Sequence, residues 1–226
     1  MYFLDYYYFI WVLPAMVLMI IAQISVKTTF SKYSKKACNV TGAEAARQVL
    51  QVNGVSGVKI ERVSGNLTDH FDPRANVIRL SDAVYDSNSV AAAGVAAHEA
   101  GHAVQYALGY APIKIRGAIL PVCNIGSKLA IPLVMLGFIF EAFYLIDIGI
   151  IFFAVALLFQ LITLPVEFNA SRRAVSALSG YGILANEDEV RGAKKVLFSA
   201  AMTYVTSFLV SLAQLLRLLA LANRRR

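Results

Sequence analysis

Four apolar segments, each long enough to cross a bilayer, limit what this chain can fold into. They run from about Phe3 to Val26, Ala118 to Phe140, Ile146 to Val166 and Phe198 to Leu221. In lipid a segment must satisfy its own backbone N–H and C=O groups, so each is read as a transmembrane helix. Hydrophobic residues make up 58% of the 226, more than the roughly one-half found in soluble domains. The first span opens with interfacial aromatics, Tyr2, Tyr6, Tyr7, Tyr8 and Trp11, and has no Lys before Lys27. It therefore reads as a retained anchor rather than a cleavable signal. The second is the least clean, because Asn124 and Lys128 fall in its first half and Lys128 has to snorkel.

The net charge of +7 comes from 21 Lys and Arg against 14 Asp and Glu. These basic residues cluster beside the apolar segments, a pattern that suits anionic lipid better than nucleic acid. Lys27, Lys32, Lys35 and Lys36 follow the first span, and Arg172, Arg173, Arg191, Lys194 and Lys195 lie between the third and fourth. The positive-inside rule puts both regions in the cytoplasm. Four crossings would then leave Arg224, Arg225 and Arg226 on the far side, so either the last helix stops short or the rule fails at that end. Cys38 and Cys123 lack the spacing of a zinc ligand pair and are expected to be free thiols.

This gives an anchor over residues 1–26, a small α+β part over 27–117 and membrane helices over 118–226. The fold class expected is a mainly α integral membrane protein with about four transmembrane helices. In the α+β part, Thr41 and Glu44 form a capping box ahead of Ala45 to Val52, and Asn53-Gly54 ends that helix. Alternation marks strands around Val58 to Val63 and Val77 to Leu80, while Ser64-Gly65-Asn66 and Asp69 to Arg74 between them read as turn-rich loop. Asp86 to Ser89 supply N-cap residues for a helix from Ser89 to Leu108 that stops at Gly109. So small a core needs packing against the spans.

That helix carries His98-Glu99-Ala100-Gly101-His102. Positions i and i+4 share a helix face, so two imidazoles can meet one tetrahedral metal while Glu99 stands beside it as a general base. A catalytic zinc needs a third protein ligand and one open position. Glu167 is the best candidate, since two spans after His102 return the chain to the same side. His70, the remaining histidine, is the competing ligand, and can otherwise contact substrate or a developing oxyanion.

The stretches Val95 to Gln105, Leu164 to Ala174 and Leu67-Thr68-Asp69-His70-Phe71-Asp72-Pro73-Arg74 resemble the YugP-type neutral zinc metallopeptidases of bacterial membranes, and the likeness covers nearly the whole chain. The resemblance implies a zincin-like, gluzincin-type site with His98, His102 and Glu167 on Zn2+ and Glu99 as base. It also implies a multi-pass protein of the bacterial inner membrane, with its catalytic part in the cytoplasm and a peptide or membrane-protein substrate. More distantly, residues 167–174 resemble the third-ligand helix of the Ste24 and HtpX membrane proteases. Those have Asp where this chain has Ser171, so orienting the zinc histidine falls to Ser171 or another residue.

The expected chemistry is peptide-bond hydrolysis by zinc-activated water, with the strand at Val77 to Leu80 taking up extended substrate as a further strand. Three other readings compete. An intramembrane protease would bury the motif in a span, yet this helix is polar and alanine-rich. A metal transporter would carry more ligands along its path than three histidines allow. A scaffold with structural zinc would close the site with four side chains, mostly Cys.

Overall fold

The computed structural model describes residues 5–223. Tyr2, Phe3 and Arg224 to Arg226 lie outside the described residues. A short π-helix at Tyr8–Val12 runs into α1 (Leu13–Ser34), and α2 (Gly42–Val52) leads to three strands, β1 (Lys59–Val63), β2 (His70–Asp72) and β3 (Val77–Ser81). Four helices complete the chain: α3 (Val90–Ala107), α4 (Ala111–Ile139), α5 (Phe143–Gly180) and α6 (Glu187–Asn223). Tyr8–Ser34, α4, α5 and α6 are long and apolar enough to cross a membrane. The last three begin or end well outside the expected spans. Hydropathy marks only the lipid-facing part of each, whereas the helices continue as amphipathic segments; α5 alone has 38 residues, about 57 Å.

The chain forms two compact units. One comprises the residues up to Gln23, Ile115–Leu164 and those from Thr203 onward. Within it Val134, Phe138 and Ile146 pack with Leu218 and Ala222, and Val12 and Ala15 pack with Ala213. Arg217 donates to Asp5 at 2.7 Å and lies 5.3 Å from the centre of the Tyr8 ring, a buried charge with its counter-ion. This pair joins the first described residues to the last turns of α6.

The second unit comprises Ile24–Lys114 and Pro165–Met202. Its core is a single cluster of small and branched side chains: Ala45, Ala46 and Val49 of α2, Ile78 and Leu80 of β3, Ala92, Ala96 and Ala100 of α3, Ala174, Ala177 and Leu178 of α5, and Leu197 of α6. The α5 and α6 residues supply the packing that the α+β part lacks by itself. Cys38 is buried here and Cys123 in the first unit, both as free thiols.

Local signals set the ends of the site-bearing elements. The Thr41–Glu44 capping box closes in both directions. Ser89 caps α3 by accepting from the Ala92 N–H, and Gly109 ends it at φ 68°, with Tyr110 N bonded to Gln105 O and Gly109 N to Tyr106 O.

The sheet order is β1-β3-β2, with β1 parallel and β2 antiparallel to β3. Two expectations change here. The Asp69 to Arg74 segment is not loop throughout, because His70–Asp72 pairs with β3 and Asp69 holds the far end of β3 by accepting from Ser81 N at 2.7 Å and Ser81 Oγ at 3.0 Å. In addition, β3 is the central strand with both edges paired, so it cannot take up a substrate strand.

Candidate metal centre

The site is built where α3 meets α5. Between the two histidines stands Gly101, and a Cβ there would lie 2.7 Å from the Ala170 carbonyl oxygen of α5. Only a residue without a side chain lets the α5 backbone come so near, and that approach sets Glu167 opposite the imidazoles.

His98 Nε2 lies 3.2 Å and His102 Nε2 3.6 Å from Glu167 Oε2. One ligand atom from each of the three residues falls within 4.8 Å of the others. Donors about 2.0–2.2 Å from a tetrahedral zinc are separated by about 3.3 Å, and the two observed separations bracket that distance. The residues therefore fit a zinc ion. Glu167 is 2% exposed and His102 8%, so without an ion the carboxylate must be satisfied by the two rings it faces. Burial alone lowers the His102 pKa, but the Glu167 hydrogen bond and the charges of Glu99 and Glu167 outweigh it, and the net shift is upward.

The outer imidazole nitrogens are also held. His98 Nδ1 meets Ser171 Oγ at 3.1 Å, so a hydroxyl stands where the more distant proteases carry a carboxylate. His102 Nδ1 meets Gln105 Oε1 at 3.0 Å. Gln105 sits one turn beyond the motif, and sequence reasoning missed its role because two of its three partners, Val166 and Asn169, come from α5. Arg173, on the same helix, donates to Asn169 Oδ1 at 2.8 Å.

Glu99 accepts the Phe71 N–H at 3.0 Å, tying β2 to α3. It thus has a structural duty that the sequence did not reveal. His70 stays outside the cluster: it is exposed, its Nδ1 is 2.8 Å from Thr68 O and its Nε2 3.5 Å from Arg79. It shares a sheet face with Asp72 and Arg79, whereas Phe71 packs toward the core and against Tyr106.

The profile of the family described as "Putative neutral zinc metallopeptidase" matches residues 8–223. The chain belongs to this family. A relative from Bacillus subtilis (strain 168), "Putative membrane protease YugP", is 48% identical over 198 residues, 87% of this chain and 88% of that protein. No solved structure matches. Membership of the zinc metallopeptidase family and the four apolar helices together make this a membrane protein whose family metal is zinc, and the His98, His102 and Glu167 cluster is a site able to hold it.

Proposed function

We propose that the protein is a membrane-integral zinc metalloendopeptidase that hydrolyses peptide bonds at the membrane surface. One observation carries the reading: three buried or half-buried donors from α3 and α5 converge, and the charge of Glu99 acts on one of them, His102. His98, His102 and Glu167 would hold the ion. Bound there, zinc supplies water activation and polarisation of the scissile carbonyl. Glu99 takes a proton at one carboxylate oxygen and returns it to the leaving amine, while the Phe71 N–H keeps that carboxylate in place. With Nε2 of each imidazole toward the ion, the Nδ1 atoms would stay with Ser171 and Gln105.

With β3 closed, the sheet edges that remain are those of β1 and β2, and extended substrate is assigned to that of β2, which the Phe71 N–H ties to Glu99. His70 contacts substrate only from the neighbouring sheet face. The cytoplasmic inner-membrane placement is supported by the basic residues from Lys27 to Lys36 and those from Arg172 to Lys195, which share a unit with the site. A soluble partner such as nucleic acid has no place in this reading. A structural-zinc scaffold is the second reading, since Glu99 has a hydrogen-bonding duty of its own.

Metal analysis and a peptide-hydrolysis assay of the purified full-length protein, taken together, separate the two readings. Glu99→Gln keeps an acceptor for Phe71 N–H, so it should retain stoichiometric zinc and lose hydrolysis of a responsive peptide by at least 100-fold. His98→Ala and Glu167→Ala should lose zinc itself. Undiminished cleavage by Glu99→Gln would leave the scaffold reading, or another base, in its place.

A further inference from the structure

The amide of Gln105 is fully buried and every polar atom on it is used. Its Nε2 donates to Val166 O at 2.8 Å and to Asn169 Oδ1 at 3.0 Å, and its Oε1 faces His102 Nδ1 at 3.0 Å. An amide can be turned end for end, so its orientation must be argued from its partners. A backbone carbonyl only accepts, which puts the amide nitrogen at Val166. Arg173 Nε only donates, and it lies 2.8 Å from Asn169 Oδ1, which fixes that oxygen toward both Arg173 and Gln105. Two independent partners therefore turn the Gln105 oxygen toward His102. Facing an acceptor, Nδ1 must carry a proton, so with an ion bound the lone pair of the ring would be on Nε2, the nitrogen that faces Glu167.

We propose that Gln105 is a positioning residue for the metal centre: it locks His102 in the tautomer that offers Nε2 to the ion, and Asn169 and Arg173 set its own orientation. The proposal rests on the reading that His102 is a zinc ligand. His98 lacks an equivalent lock, because Ser171 Oγ can donate or accept and so permits either tautomer. Gln105 also spans the two ligand-bearing elements. It rises one turn from His102 on α3 and grips α5 at Val166, next to Glu167, and at Asn169. One side chain thus sets the ring's protonation pattern and ties α3 to α5 beside the third ligand.

The test uses full-length protein in detergent, with zinc affinity measured by chelator competition and the cobalt(II) ligand-field spectrum as a second readout. Gln105→Met keeps the volume but removes the strong acceptor, and should weaken zinc binding about 10- to 100-fold and alter the cobalt bands. Gln105→Glu keeps an acceptor toward Nδ1 while losing both donors, so it should hold zinc within a few-fold of the parent and melt at lower temperature. Should neither variant fold, Asn169→Leu, which removes one of the two orienting partners, should still weaken zinc several-fold. The proposal is overturned if Gln105→Met, or Asn169→Leu in its place, binds both metals as the parent does, or if Gln105→Met and Gln105→Glu lose zinc equally. If the parent protein takes up no zinc, the metallopeptidase reading itself fails; parent binding abolished by His98→Ala leaves that reading standing whatever Gln105 does.

Discussion

Glu99 carries two duties that separate under substitution. Glu99→Gln preserves the acceptor for Phe71 N–H, whereas Glu99→Ala removes it and should loosen β2 as well, seen as faster amide exchange at Phe71. His70, bonded to Thr68 O and close to Arg79, should behave differently: His70→Ala is expected to leave zinc content unchanged and to raise KM more than it lowers kcat. The raised His102 pKa gives a signed pH dependence. Zinc has to displace a proton from a site whose protonated form is favoured, so affinity measured by chelator competition should begin to fall above pH 6.5 and keep falling as the pH is lowered. In the metal-free protein the same group adds stability below the ordinary imidazole pKa and loses it as pH rises through the raised value. At this scale the motif residues and Glu167 were legible from spacing and span count. Gln105 and the Phe71–Glu99 bond were not, because each joins segments that only the tertiary fold brings together.

Among the elements, α3 was the most readable, because its limits are set by neighbours in sequence: Ser89 before it and Gly109 after it. β2 was hidden, since three residues in an Asp- and Pro-rich stretch give no period and the strand exists only through its pairing with β3. The expected augmentation of β3 failed for the same reason, because sequence does not show which strand lies in the middle. The α3–α5 contact supplies the element-scale prediction. Gly101→Ala places a methyl group 2.7 Å from Ala170 O, which should cost about 1–3 kcal/mol in stability and weaken zinc by moving Glu167 away from the imidazoles. Thermal melts with and without zinc would show both effects, and an unchanged zinc affinity would mean that Glu167 follows the helix without strain.

For the whole molecule, hydropathy gave the number of spans but hid Arg217, because one charge barely lowers the average of a long apolar run. Its partner Asp5 lies at the opposite end of the sequence. Arg217→Leu leaves the half-buried Asp5 without its counter-ion and should destabilise the protein by about 1–3 kcal/mol, with Asp5→Leu added to it recovering most of the loss; a double-mutant melt checks this. The Gly101–Ala170 approach has a further consequence, for how chains of this build are to be found. Where two helices lie this near, the second wildcard of His-Glu-x-x-His has room for glycine without a shift of the neighbouring backbone, so chains that pair their ligand helices in the same way should carry glycine at that position.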